Sequence, residues 1–175
     1  AYEIRLSLVG SEMCIRDREN TDTLMVQNQR VSSTRIRKAL LENNFDEAEK
    51  LLGRPYVVSG KVVHGQHLGR TIDVPTANIW LPKQKLPVNG VFAVECMLKN
   101  QKIFGIANMG VRPTIGGSLP VLEVHLFNFN KNIYSERLDI KFLKKIRNEK
   151  KFDNLDMLKS QIQKDISKAK EIIYK

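Results

Sequence analysis

The chain has 175 residues, 42% of them hydrophobic, enough for one full domain and a remnant of another. Lys and Arg number 29 against 19 Asp and Glu, and the two cysteines, Cys14 and Cys96, lack metal-like spacing, which argues against a disulfide framework or a zinc site. No apolar run approaches membrane-spanning length and no signal peptide is recognisable, so a cytoplasmic protein without a membrane partner is expected.

In chain order, residues 1–18 come first, and Leu6 to Arg18 resembles translated sequencing-adapter read-through. The tract is set aside as foreign to the fold, the alternative being a native strand and turn. Residues 32–53 read as helical: Ser32 or Ser33 can cap a helix carrying Ile36, Ala39 and Leu40, and Asp46 can cap a second that ends at Gly53.

From Tyr56 onward, alternation of period two takes over. Val91, Ala93, Glu95 and Met97 oppose Phe92, Val94, Cys96 and Leu98. Phe104, Ile106 and Asn108 oppose Ile103, Gly105 and Ala107, and Leu122, Val124 and Leu126 oppose Val121, Glu123, His125 and Phe127. Asn100-Gln101 suits a hairpin turn, while Gly110 to Pro120 and Asn128 to Asn132 read as loops. Half a dozen short strands with no helix between them predict a mainly β fold closed into an antiparallel barrel. Leu155, Leu158, Ile162, Ile166, Ala169 and Ile173 then recur at helical spacing behind Asp153, predicting a long terminal helix with one apolar stripe against the barrel.

Charge follows the same division. Residues 1–18 hold 3 bases and 3 acids, residues 19–54 hold 6 and 6, and residues 55–175 hold 20 and 10. The β segment therefore wants an anionic partner: a nucleotide, a nucleic acid or an anionic membrane surface. Gly60 to Asn78 is the stretch best suited to a nucleotide. Gly60, Gly65 and Gly69 let backbone N–H groups approach an anion, and Lys61 and Arg70 add positive charge. The stretch is not a Walker loop, because no Gly-Lys-Ser/Thr follows and no helix opens behind it. Pro75 favours extended backbone, so Thr76 and Asn78 share one strand face, where a hydroxyl and an amide oxygen can hold a hard cation such as Mg²⁺ once substrate phosphates complete the shell. A glycine-rich hairpin loop ending in a Pro-Thr turn is the bland alternative.

Gly60 to Arg70 followed by Pro75-Thr76-Ala77-Asn78 resembles the riboflavin kinase family, in particular the C-terminal kinase module of bacterial bifunctional riboflavin kinase/FAD synthetases. Gly90 to Val94, Asn108 to Thr114, Glu123-Val124-His125-Leu126, Ile133-Tyr134 and Arg147 to Phe152 follow in the same order. The resemblance covers about residues 32–175. It implies a six-stranded Greek-key barrel at 55–175 behind a short helical remnant, 19–54, of an adenylyltransferase domain that is otherwise missing. Ser32 to Arg37 resembles the closing motif of that domain, and FAD synthesis is accordingly not expected.

The resemblance also implies roles. ATP and riboflavin would be the substrates, Thr76 and Asn78 the Mg²⁺ ligands, and the Gly60 to Arg70 loop a cover over the phosphates. Glu123 would be the general base, since a carboxylate beside a primary hydroxyl can accept its proton while positioning and electrostatics supply most of the acceleration. A Glu on a strand's outer face is otherwise simply solvated. His125 shares that face and could orient Glu123, contact nucleotide, or be an ordinary strand histidine. Tyr134 would pack on adenine, and Arg147 would belong to a loop closing over flavin and phosphate. Asp73 and Ser135 stand where the family usually has Gly. Two rivals are a basic barrel binding single-stranded nucleic acid, which would want exposed aromatics interleaved with cations, and an inactive module supporting an adenylyltransferase.

Overall fold

The computed structural model describes residues 23–65, 74–81, 86–114 and 117–175. The 1–18 tract, Gly69, Arg70 and Asp73 lie outside them. Two compact units result, one ending at Val31 and one spanning Ser32–Lys175. In the first, β1 (Met25–Val26) and β2 (Gln29–Arg30) form a hairpin whose turn residues Gln27 and Asn28 both have positive φ, the primed geometry that suits the twist of a two-residue connection.

In the second unit, α1 (Ser33–Leu41) and α2 (Phe45–Leu52) precede the strands. Ser32 caps α1 by accepting from the Arg35 N–H, as expected. The cap of α2 is Asn44 rather than Asp46, because Asn44 is the last residue with non-helical backbone before the helix and its amide oxygen accepts from the Glu47 N–H. Gly53, at φ 68°, ends α2 in the left-handed conformation that glycine adopts without a Cβ penalty. Arg35 forms a 2.5 Å ion pair with Glu47, tying the two helices together.

Six strands then close into one antiparallel barrel, β3 (Val57–Val63), β4 (Ala77–Trp80), β5 (Gly90–Leu98), β6 (Gln101–Thr114), β7 (Gly117–Leu126) and β8 (Arg137–Arg147), in the order β3-β4-β7-β6-β5-β8 with β8 returning to β3. β5, β6 and β7 follow one another as hairpins, while β4 and β8 reach their partners over longer connections, the Greek-key pattern, and within the barrel every strand has a neighbour on both sides. The expected loop from Gly110 to Pro120 is instead a ribbon: Gly110 pairs with Val121 and Thr114 with Gly117, so β6 and β7 extend well past the barrel wall. Pro120 is tolerated there, and its local composition had disguised a strand as a loop. The β5–β6 turn is Lys99-Asn100, with Lys99 at φ 55° and Gln101 already paired, one residue earlier than expected.

Leu122, Val124, Leu138, Ile140, Phe92 and Val94 fill the interior with no exposed surface. Cys96 belongs to this interior, and burial pushes its thiol up to about 12. Phe45 of α2 enters the same core, its ring 5.9 Å from Phe92 and 5.8 Å from Phe142. Burying one such aromatic contributes about 1.5–3 kcal/mol, enough to bind the helix pair to the barrel end where β5 begins.

The last helix, α3 (Leu155–Ile173), is capped by Asn154, not Asp153. It lies on the outside of the barrel, with Ala169 fully buried against Ala93, Ile106 and Phe127. Phe104 belongs to this outer layer, whereas Phe92 and Phe142 are interior. None of the three forms the exposed aromatic ladder that a single-strand binder would want.

Candidate active site

The barrel register aligns residues far apart in sequence. Val63 on β3 pairs with Asn78 on β4, and Asn78 with Glu123 on β7. Glu123 also pairs with Asn108 on β6, Asn108 with Val91 on β5, and Val91 with Arg147 on β8. Directly opposed residues on neighbouring strands have Cβ atoms about 4.5–5.5 Å apart. Asn78, Glu123 and Asn108 therefore form a continuous polar row on the outer face. Leu122 and Val124, which flank Glu123 in sequence, point inward and are fully buried. Glu123 itself is half-buried, within reach of solvent or substrate.

Asn108 went unassigned in the sequence reading. The available signal was a polar residue in phase with Phe104 and Ile106, but only the register reveals that the row continues to Glu123.

Thr76 stands one residue before β4 and two residues from Asn78, the spacing that puts two side chains on one side where the backbone is extended. Gly65 explains how Asn78 is accommodated: a Cβ on Gly65 would overlap the Nδ2, Cγ and Oδ1 atoms of the Asn78 amide. The glycine thus makes room for a donor–acceptor group beside Glu123. Thr76 and Asn78 fit a hard cation whose remaining ligands are phosphate oxygens, because both are neutral oxygen donors. Among the described residues there is no group of three or more His, Cys, Asp or Glu that could hold a metal without such help.

A groove of about 560 Å³ opens at the barrel end opposite Phe45, lined by Thr76, Val124, Leu126, Lys131, Ile133 and Tyr134; Asn78 and Glu123 do not line it but follow and precede two residues that do, Ala77 and Val124. Its floor is apolar and its rim polar, the composition of a small-ligand site. Tyr134 stacks on His64, with ring centroids 3.8 Å apart and planes at 24°. The Ser135 N–H donates to the Val62 carbonyl, holding the Tyr134 turn against the end of β3.

His125 lies two residues beyond Glu123 on the same face. Its Nδ1 is 2.8 Å from the Pro75 carbonyl oxygen, which can only accept, so Nδ1 carries the proton. Burial lowers the pKa of His125, the Pro75 bond acts in the opposite direction, and the nearby Lys170 lowers it further. The ring is thus a neutral structural donor at neutral pH, and its bond goes to Pro75 rather than Glu123.

Three expected contacts are not brought to this place. Gly60 lies within β3 and faces the interior, where a Cβ would collide with the Ile79 side chain and the Trp80 carbonyl. Its role is close strand packing, and the loop begins only at His64. Lys61 is exposed on β3, paired with Trp80 and Arg137, two residues away from the Asn78 row. Arg147 is three strands from Glu123 in either direction around the barrel wall. Its Nε donates to both oxygens of Asp165 on α3, Nη2 lies 2.8 Å from Oδ2, and Nη1 donates to the Asn148 carbonyl. Gln161 donates to the same carboxylate, which is 1% exposed. The guanidinium anchors α3, and its partner 18 residues on has no local signature in the sequence.

Comparison with known proteins identifies the family. The family model described as "Flavokinase: Riboflavin kinase" matches residues 52–173. A bifunctional riboflavin kinase/FMN adenylyltransferase of Haemophilus influenzae is 52% identical over 153 residues, covering 87% of this chain and 50% of that protein. Its namesake in Escherichia coli K12 is 46% identical over 156 residues, covering 89% and 50%. The chain thus spans about half the length of these relatives. A solved structure described as a macrolide-efflux protein from Streptococcus pneumoniae superposes with TM-score 0.73 at 40% identity, over 82% of this chain and 47% of that one. That description belongs to the neighbour; among the described residues here, no helix is long and apolar enough to cross a membrane. With the family model spanning the barrel and α3, and with the polar row and groove in place, the chain belongs to the riboflavin kinase family.

Proposed function

We propose that this chain transfers the γ-phosphate of ATP to the 5′-hydroxyl of riboflavin, giving FMN and ADP. The observation that carries the reading is the register pairing of Asn78 with Glu123 beside a groove reached by Thr76 and Tyr134. Glu123 accepts the proton of the ribityl hydroxyl as its oxygen attacks the γ-phosphorus, and the bond from that phosphorus to the β,γ-bridging oxygen breaks. Thr76 and Asn78 present oxygens to a magnesium ion, which when bound supplies charge neutralisation across the phosphates. Adenine fits the apolar groove against Tyr134, itself braced by His64. Gly65 begins the glycine-rich stretch whose role toward the phosphates the family resemblance implies; Gly69 and Arg70 of that stretch lie outside the described residues. Arg147 acts by holding the start of the 148–154 segment to α3 rather than by touching the transferred group. Residues 19–54 are the tail of an adenylyltransferase domain, residues 55–175 the kinase, and the setting is cytoplasmic.

Riboflavin, ATP and Mg²⁺ incubated with the purified chain should yield FMN, and FMN supplied with ATP should yield no FAD. FAD above a no-enzyme control would show that the adenylyltransferase assignment is mistaken, and absence of FMN would favour an inactive supporting module. Gly65→Ala tests the metal site without touching a ligand: the new methyl group displaces the Asn78 amide, so the KM for MgATP should rise about tenfold while riboflavin KM changes little. An unchanged MgATP KM would remove Asn78 from the site.

A further inference from the structure

The β4–β7 ladder stops at the Ala77–Val124 pair, just before the two residues that matter most for metal binding have both been placed. Asn78 lies inside the ladder and inherits its rigidity. Thr76 lies outside it, and among the described residues no further ladder pair reaches it. A side chain supplies the missing constraint: the His125 Nδ1–H donates to the Pro75 carbonyl at 2.8 Å. That carbonyl belongs to the peptide unit leading into Thr76. Because the unit is planar, holding its oxygen restrains where the Thr76 N and Cα lie, and so the point from which the Thr76 side chain departs.

The imidazole is itself braced. Phe127 meets it edge to face at 5.9 Å, and Lys170 of α3 lies over the far ring, 5.6 Å from its centroid. The chain from α3 through Phe127 and His125 to Pro75 is therefore continuous contact.

We propose that His125 is a positioning residue for the metal-nucleotide site, holding the Pro75–Thr76 peptide so that the Thr76 hydroxyl and the Asn78 amide oxygen converge on one ion. The proposal rests on the assignment of Thr76 and Asn78 made above. It implies that His125 acts on nucleotide affinity through one nitrogen, Nδ1, and not through imidazole basicity.

Asn and Gln separate these roles, because an Asn amide nitrogen occupies about the place of Nδ1 whereas that of Gln reaches the place of Nε2. MgADP binding to the full chain is measured by calorimetry without flavin, alongside melting temperature and the KM for riboflavin. One neutral hydrogen bond supports an expected loss of MgADP affinity of about two- to tenfold in His125→Gln and His125→Leu, with most of it restored in His125→Asn and riboflavin KM little moved. In a double-mutant cycle, His125→Gln should cost little further affinity in a Thr76→Ala background, since the residue it positions is gone. Parental MgADP affinity in His125→Gln, equal losses in the Asn and Gln variants, or full additivity with Thr76→Ala would each overturn the proposal. Should His125→Leu fail to fold, the Asn and Gln pair carries the comparison. A parent that binds MgADP but forms no FMN would defeat the kinase assignment and leave His125 standing, whereas Thr76→Ala with parental MgADP affinity would defeat the ligand assignment on which His125 depends.

Discussion

Glu123→Gln is expected to lower the turnover rate by about 10²–10⁴-fold, the usual contribution of a positioned general base. The substitution preserves side-chain shape and removes basicity, so the KM values for riboflavin and MgATP should change far less than turnover. Its place explains the size of the effect. Glu123 is half-buried between Asn108 and Asn78, and Asn78 is one of the two magnesium ligands proposed above. Glu95 provides the control. It lies on β5 paired with Phe104 and Lys141, and its carboxylate forms a 3.1 Å ion pair with the half-exposed Lys102. Glu95→Gln should therefore behave nearly as the parent. Near-parental turnover in Glu123→Gln, with chemistry shown to be rate-limiting in single-turnover experiments, would mean that the hydroxyl proton leaves by another route.

Arg147→Leu is expected to be the most destabilising of the substitutions considered. It strands the Asp165 carboxylate, 1% exposed, with only Gln161 as a remaining side-chain donor among those identified. Removing one partner of a buried pair costs about 3–5 kcal/mol, which for a domain of this size corresponds to roughly 6–20 °C in melting temperature. The double substitution Arg147→Leu with Asp165→Leu should recover part of that loss, because no buried charge remains without a partner. Lys99 and Glu136 show the contrast. Their contact is 3.0 Å, but the side chains are 73% and 39% exposed, so Glu136→Gln should cost at most about 1 kcal/mol. A melting temperature for Arg147→Leu no lower than that of Glu136→Gln would return Arg147 to the list of residues free to meet substrate.

The alternation of apolar residues in 91–98, 103–107 and 121–127, the helical stripe ending at Ile173, and the order of glycine, proline and polar motifs were legible in the sequence. Each is a property of a few neighbouring residues, and together they determined a closed β barrel, its terminal helix and its family. Glu123, Thr76 and Asn78 could be named from the same short patterns. What the tertiary structure decided is which strand lies beside which and in what register. A shift of one residue turns every side chain to the other face, so that Gly60 belongs to the interior and Asn108 to the row beside Glu123 only once the barrel has closed. The ribbon through Pro113 and Pro120 had the local composition of a loop, and pairing between strands overrode it. The ties of His125 to Pro75 and of Arg147 to Asp165 span 50 and 18 residues. Neither has a local signature, because a buried polar group is satisfied by whatever partner the packing brings within reach.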